Sequence, residues 1–152
     1  MVVFTVRQLI HDILLGLDPM IHGLRDKRFA EAKIYLVRDG STVFYIGKSD
    51  SDVIERLRTH LGFEFRGRRS RSDLGELIEA NIPESESWNV ELYTPDECRW
   101  AVPDGESYFR ISAKLAEWCM IRHFKPCLNI VANRERATVL PKRYKRPASI
   151  VN

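Results

Sequence analysis

The chain has 152 residues, of which 44% are hydrophobic and 30% are charged, a balance that suits one compact domain with its own core. The net charge is only +3, so the total charge names no partner. Three cysteines without metal-ligand spacing predict reduced thiols in an intracellular compartment and exclude a structural zinc site. No apolar run approaches the roughly 20 residues that cross a bilayer, so we expect a cytoplasmic protein.

A helix is predicted near the amino terminus. The run TVRQLIHDILLGL repeats apolar residues at helical spacing and opens with a capping box formed by Thr5 and Gln8. The basic, proline-containing end of the chain predicts an extended or partly disordered segment. The expected divisions are a helical extension packed on the domain (1–30), the domain itself (31–132) and a basic tail (133–152).

Strands and helices alternate through the predicted domain. The β-rich runs AKIYLV and TVFYIG flank Asp39 and Gly40, which signal a hairpin, and residues 88–93 alternate as a third strand does. Further helices are expected in SDVIERLRTHLG, in LGELIEANI and at residues 107–124. The pattern predicts an α/β fold of the α+β sandwich type, with a small, mainly antiparallel three-stranded sheet flanked by helices.

Two tyrosines stand one on each strand of the predicted hairpin, so the register between the strands decides whether they meet. A three-residue loop from Asp39 to Ser41 sets Tyr35 opposite Tyr45 on one face of the sheet, and we expect this register. A two-residue loop at Asp39 and Gly40 would send the rings to opposite faces. The simpler interpretation is that both rings fill the core.

The helix after the hairpin carries Arg56 and His60, which share a face because they are four residues apart. A guanidinium at this place could hold a phosphate, and an imidazole could accept a proton. Arg58 or Lys48 could serve as the phosphate contact instead. A solvated helix face would also explain the spacing of these side chains.

Glu117 lies on the apolar side of the last predicted helix, between Ala113 and Ile121. A buried anion needs a compensating charge, which one divalent cation with several retained waters would supply. The alternative is a salt bridge to Lys114, or to an arginine from elsewhere in the fold.

Five segments of the chain occur in a fixed order. They are KIY at 33–35, YIG at 45–47, RLRTH at 56–60, Glu117, and KPCLN at 125–129. Together they resemble the GIY-YIG nucleases, with nine residues between the tyrosines and with Glu117 twelve residues before Asn129. The resemblance covers residues 33–131.

The resemblance implies a fold, an activity and a set of site residues. It implies a GIY-YIG nuclease-like domain with an extra amino-terminal helix, an endonuclease that hydrolyses DNA phosphodiester bonds with one Mg²⁺ or Mn²⁺ ion per active site. The implied catalytic residues are Tyr35, Tyr45, Arg56, His60, Glu117 (the metal ligand) and Asn129 (a brace for the site). The segment before Arg56 is one residue longer than in many members, so the choice between Arg56 and Arg58 stays open. The general base is either Tyr45 or His60.

DNA is the partner that the resemblance implies. The expected nucleic-acid contacts are Lys48, Arg58, Arg66, Arg68, Arg69 and Arg71, most of them in an arginine-rich loop. Such side chains grip phosphates rather than read bases. The sequence leaves open whether the target is a specific sequence, a branched structure, a single strand or RNA, and no membrane contact is expected. A homodimer would be the route to sequence specificity.

Two rival interpretations belong to other classes of protein. The first is a nucleic-acid-binding module that keeps the fold without catalysing cleavage, and the second is a structural or protein-interaction domain. The first would retain DNA without cutting it. The second predicts that the loop arginines can become alanine without any loss of DNA binding.

Overall fold

The computed structural model describes residues 1–14, 27–62, 72–103, 110–129 and 137–150. These ranges form an α+β arrangement in which helices flank one sheet. The strands are β1 (Val2–Thr5), β2 (Ile34–Asp39), β3 (Thr42–Lys48) and β4 (Asn89–Tyr93). The helices are α1 (Val6–Gln8, continued by a π-helical segment at Leu9–Leu14), α2 (Lys27–Glu31), α3 (Val53–Leu61), α4 (Asp73–Ala80) and α5 (Ala113–Phe124), with 3₁₀ turns at Glu84–Ser87 and Asp96–Ala101. Within these ranges no helix combines the length and the apolar composition that would let it pass through a lipid bilayer.

The sheet has four antiparallel strands in the order β1-β4-β2-β3, so the prediction of three strands was wrong. The extra strand, β1, pairs with β4 from Val2 opposite Leu92 to Thr5 opposite Asn89. It is four residues long and runs directly into α1, whose helical signal covers the same stretch of sequence. The predicted capping box is confirmed, since Thr5 and Gln8 hold each other's backbone N–H groups.

Hydrophobic cores fill both faces of the sheet. One face packs against α3, α4 and the end of the chain, with Tyr35, Leu57 and Leu77 fully buried. The other packs against α5 and the second 3₁₀ turn, with Ile46 and Met120 fully buried. Because β3 is an edge strand, α3 and α5 approach each other past its edge, and a cleft lies between them.

The hairpin brings the tyrosines to one face by a route that the sequence analysis did not predict. The loop has two residues, Gly40 and Ser41, and Val37 rather than Tyr35 lies opposite Tyr45. The turn pairs Asp39 with Thr42 and Arg38 with Val43. If that register continued along the hairpin, Tyr35 and Tyr45 would lie on opposite faces of the sheet. A β-bulge next to Val37 adds one residue to β3, which shifts the pairing by one position and puts Tyr35 and Tyr45 on the same face of the sheet. The predicted three-residue loop and direct pairing were therefore wrong.

The predicted helices after the hairpin are confirmed, with one later start. Helix α3 begins with Asp52 as its N-cap and ends at Gly62, whose φ of 77° favours glycine. The last helix was expected from residue 107, but residues 110–112 are not helical and α5 begins after Ser112, whose side chain accepts from the Leu115 N–H. Lys125 closes α5 in the left-handed region before Pro126.

The end of the chain is packed onto the domain between residues 137 and 150. Leu140, Tyr144 and Ile150 are buried in the same core cluster as α3 and α4, and the Tyr144 ring packs edge-on against Phe44 and Trp88. The Asn81 side chain pairs with both backbone groups of Lys145, at 2.9 and 2.8 Å. The tail was expected to be extended or partly disordered. Residues 137–150 form neither helix nor strand, but they pack on the core, so disorder was wrong for this segment. Their apolar residues are spaced too widely to be detected by periodicity.

Candidate active site

An open cleft of about 430 Å³ lies at the edge strand β3. Its walls come from three separate stretches of sequence: the hairpin with its following loop, helix α3 and helix α5. The lining residues are Tyr35, Tyr45, Lys48, Ser49, Asp50, Ser51, Arg56 and Glu117. Four of the six predicted catalytic residues therefore meet around this cleft, with Tyr35 fully buried in its wall.

The two tyrosines stack across Gly47. Their ring centroids are 6.0 Å apart with an interplanar angle of 29°. Tyr35 lies directly opposite Gly47 in the sheet, and a Cβ atom at Gly47 would overlap the Tyr35 hydroxyl and come within 2.8 Å of Tyr45 Cε1. Glycine is therefore the residue that leaves room for the Tyr35 ring.

A hydrogen-bonded series leads from Tyr35 into the protein. The Tyr35 hydroxyl lies 2.6 Å from His60 Nε2, and His60 Nδ1 lies 2.6 Å from Ser72 Oγ. Ser72 Oγ also points its hydroxyl towards the His60 carbonyl and accepts from the Gly75 N–H, each at 3.4 Å. With its hydrogen given to that carbonyl, Ser72 accepts from Nδ1–H, and Nε2 is then the acceptor for Tyr35.

Burial sets the protonation of this series. Desolvation, followed by the positive charge of Arg56, lowers the pKa of His60 to about 4, so the imidazole is neutral at pH 7. Desolvation also raises the pKa of Tyr35 well above its ordinary value. The pKa of Tyr45 is raised for the same reason, against the opposing charge of Arg56. Neither phenol is an effective base by itself at neutral pH.

Glu117 faces the cleft from α5. Burial raises the pKa of its carboxyl, while the charge and the backbone N–H of Lys48 oppose that shift. Lys114 is exposed, and the ion pairs among the described residues do not join it to Glu117. The alternative of a salt bridge within α5 is therefore wrong.

Two cations complete the cleft. Lys48 is bonded to Asp50 at 2.8 Å, and Arg56 is an exposed side chain on the wall formed by α3. Arg58 points elsewhere, with its Nε 3.7 Å from a Glu55 carboxylate oxygen, and it does not line the cleft. The geometry thus favours Arg56 over Arg58 as the group that could reach a bound phosphate.

Asn129 lies outside the cleft and holds β3 in place. Its side chain donates to the Ile46 carbonyl at 2.7 Å and accepts from the Ile46 N–H at 2.8 Å. The preceding residues, Cys127 and Leu128, donate their N–H groups to Val43 and Phe44 at the bulge. The segment after α5 therefore supplies hydrogen-bond partners for backbone groups on the outer edge of β3, the strand that carries Tyr45.

The metal-binding potential of the site rests on one carboxylate. Among the described residues, no group of three or more His, Cys, Asp or Glu side chains is arranged to hold a metal ion. Glu117 nevertheless opens into a cleft, as a ligand of a largely hydrated Mg²⁺ ion would. The predicted contacts Arg66, Arg68, Arg69 and Arg71 lie outside the described residues.

Sequence reasoning missed three features that shape this site. Gly47 is recognisable in the sequence only as part of a motif, whereas its place opposite Tyr35 gives it a steric role. Ser72 carries a detectable signal, since it begins a helix as an N-cap, but nothing in the sequence links it to His60. Asp50 follows the hairpin closely, yet its pairing with Lys48 depends on the loop conformation.

Comparisons of the chain with protein-family models, with curated proteins and with solved structures find no match.

Proposed function

We propose that the cleft is the active site of a DNA endonuclease of the GIY-YIG type, which hydrolyses phosphodiester bonds with the help of one divalent cation. One observation carries this proposal: Tyr35, Tyr45, Arg56 and Glu117, separated by up to 82 positions in the sequence, meet in one cleft beside a buried imidazole. Packing of the core does not require polar and charged side chains to converge on an open cleft, whereas binding and catalysis do.

Substrate binding falls to the cations of the cleft. Arg56 presents a planar guanidinium suited to two oxygens of one phosphate, and its charge opposes the negative charge that develops on the equatorial oxygens. Lys48 adds a second positive charge on the strand side. The half-exposed Tyr45 hydroxyl can donate a hydrogen bond to the same phosphate.

The proton of the attacking water is best accepted through Tyr35 and His60. Because His60 Nε2 is occupied by Tyr35, the imidazole can reach the cleft only through the tyrosine hydroxyl. Tyr35 lines the cleft but is fully buried, so the attacking water would have to be placed against its hydroxyl when DNA binds. Tyr35 would then take a proton from that water while it gives its own to Nε2, which avoids a buried phenolate. His60 would become an imidazolium whose Nδ1–H stays bonded to Ser72. The negative charge of the bound phosphate would offset the desolvation and the Arg56 charge that lower the pKa of His60.

Glu117 is the residue that would hold Mg²⁺ or Mn²⁺. A cation there would supply positive charge next to the leaving 3′ oxygen. The raised pKa of the carboxyl fits this role, because a nearby cation would compensate for the burial that disfavours the carboxylate. Asp50 adds a second carboxylate to the rim of the cleft.

Conversion of a supercoiled plasmid to its nicked form, with and without Mg²⁺, tests the proposal. We expect magnesium-dependent nicking by the parent and its loss in Glu117→Gln. Glu84→Gln, which changes an exposed carboxylate on the first 3₁₀ turn, is the matched control and should cut like the parent. Equal cutting by Glu117→Gln would reject the metal role. DNA retention without cleavage of the plasmid or of a labelled single strand at any metal concentration would favour the non-catalytic binding module.

A further inference from the structure

An exposed aromatic ring lies on α5 among cationic side chains, directly after the carboxylate of the cleft. Trp118 follows Glu117 and is 46% exposed. The Arg122 guanidinium lies over this ring, with Cζ 4.6 Å from the ring centroid. Lys114, one turn earlier, is exposed as well. Glu117 is the single acid in the sequence of α5, so this face of the helix is aromatic and positively charged.

The packing of α5 does not require the Trp118 ring. Ala116, Met120 and Ile121 provide the buried side of the helix against the sheet. Successive residues in a helix are turned by about 100°, so Trp118 lies beside the cleft and not inside it. A strand that passes Glu117 can therefore meet this ring with a neighbouring nucleotide.

The chemistry of the face matches nucleic acid with unpaired bases. Arginine and lysine are complementary to the phosphate backbone, and every base has a π-face that stacks on tryptophan or on a guanidinium. In a duplex the faces of the bases are covered by their neighbours. A ring on a protein surface therefore stacks most readily on an unpaired base, because in a duplex only the terminal pairs, or a step that is forced open, expose a base face.

We propose that Trp118 and Arg122 form a stacking platform for an unpaired base next to the scissile phosphate, so that the substrate is single-stranded DNA or the single-stranded segment of a branched DNA. The inference rests on the proposed nuclease function of the cleft. The cleft residues contact phosphates, which single-stranded and double-stranded DNA both present, so they do not distinguish the two substrates. The platform does, because it needs an unpaired base.

Binding without turnover tests the platform separately from catalysis. We would measure the affinity of a fluorescein-labelled oligothymidylate and of a blunt duplex of equal length, both in EDTA. Trp118→Ala should weaken single-strand binding by about 5-fold to 150-fold, the range found for one stacked base, and change duplex binding less than about twofold. Trp118→Phe should recover most of the affinity because it keeps an aromatic face.

A second exposed tryptophan provides the matched control. Trp100 is 54% exposed but packs against His123 and Phe124, with ring centroids 4.8 and 5.8 Å away. Trp100→Ala should leave single-strand affinity unchanged. Tryptophan fluorescence gives an independent readout: the oligonucleotide should quench the Trp100→Ala protein and leave the Trp118→Phe protein unquenched.

Several results would overturn the platform. These are an unchanged single-strand affinity in Trp118→Ala, an equal loss for duplex and single strand, and an equal loss in Trp100→Ala. If Trp118→Ala abolishes self-association in sedimentation while single-strand affinity is unchanged, the face is a protein interface instead. If the parent nicks DNA in a magnesium-dependent way and any of these results is also found, the platform is rejected and the nuclease proposal stands. Stacking without magnesium-dependent cleavage of the plasmid, of single-stranded DNA or of a branched DNA rejects the nuclease alone.

Discussion

The two sides of the cleft are built in opposite ways. On the α3 side, the buried Tyr35 and His60 and the partly buried Ser72 form a series of hydrogen bonds around a neutral imidazole. On the α5 side, Glu117 and Lys48 carry charges at an open rim that water reaches. One side is fixed before any ligand arrives, and the other is made of groups that can exchange partners.

This difference would suit the two tasks of the phosphodiesterase proposed above. Proton transfer needs donors and acceptors already at hydrogen-bond distance, and a buried series holds them there without solvent reorganisation. Binding and release of a polyanion and a cation need charges that can be solvated again after each turnover. A closed arrangement on both sides would slow product release, and an open one on both sides would leave the base unpositioned.

The largest expected effect comes from the buried side. His60→Gln keeps the size of the side chain and a polar group near Tyr35 but removes a base that can accept a proton. We expect the rate of plasmid nicking to fall by about 10²- to 10⁴-fold, with little change in DNA affinity. Single-turnover cleavage, followed alongside binding, measures the two quantities separately.

Tyr45→Phe is the comparison that identifies the base. If Tyr35 and His60 act together, loss of the Tyr45 hydroxyl removes one hydrogen bond to the phosphate and costs less than His60→Gln. The reverse ranking, with Tyr45→Phe inactive and His60→Gln nearly normal, would make Tyr45 the base and leave the imidazole a structural role.

The open side is tested by a pair of arginines on the same helix. Arg56→Ala should lower the cleavage rate by about 10²- to 10³-fold, the usual cost of losing one group that stabilises transition-state charge. Arg58→Ala is the matched control, because Arg58 lies beside Glu55 and away from the cleft. A larger loss of cleavage in Arg58→Ala would overturn the assignment of Arg56.

Gly47 tests whether the position of the Tyr35 ring matters. In Gly47→Ala the new methyl group would overlap the Tyr35 hydroxyl, so the ring or the strand must shift and the hydroxyl loses its present position relative to His60. We expect the free energy of unfolding to fall by about 1–3 kcal/mol, as overpacked cores do, and the cleavage rate to fall as well. Urea unfolding and nicking assays measure these effects.

Gly40→Asn is the control for this substitution. Gly40 also lies on the hairpin, with a φ of 55°, and a Cβ atom added there would meet no other atom within 4 Å. Asparagine tolerates that backbone conformation, so the substitution should change neither stability nor rate by much. A fully active Gly47→Ala protein would mean that the contact between Tyr35 and His60 is dispensable.

Sequence patterns could predict the elements that position the site better than the contacts within it. Periodicity and capping were sufficient for α3 and α4, and the hairpin signal around Gly40 was correct about the existence of a turn. The bulge after Val37 could not be predicted, because an extra residue in one strand leaves no mark in a run of apolar residues. Strand β1 was hidden because its four residues lead directly into a helix.

The same contrast holds for the residues of the site: those that form a pattern along the chain could be predicted, and those linked only by packing could not. Tyr35, Tyr45 and Glu117 could be proposed because their residue types and order form a pattern along the chain. The link between His60 and Ser72 could not, since it depends on where α4 begins relative to the end of α3. The order of residue types along the chain can be read directly from the sequence, whereas a hydrogen bond between two helices depends on how the helices pack.

A further expected effect concerns the stability of the parent protein in acid. His60 has a pKa of about 4 in the folded protein and an ordinary value of about 6.5 when unfolded. Between these values the unfolded chain binds a proton that the folded protein does not, so the free energy of unfolding falls as the pH is lowered from 6.5 to 4. The loss should reach roughly 2 kcal/mol between about pH 7 and pH 5. Urea unfolding at the two pH values measures it.

His60→Gln should remove this component of the acid sensitivity, because glutamine does not titrate. His123→Gln, which replaces an exposed imidazole on α5, is the control for the loss of a histidine as such. The comparison between the variants cancels the carboxylates that titrate in the same range. If the parent and His60→Gln lose equal stability on acidification, His60 is solvated in the folded protein, and the closed, neutral character of the α3 side of the cleft is wrong.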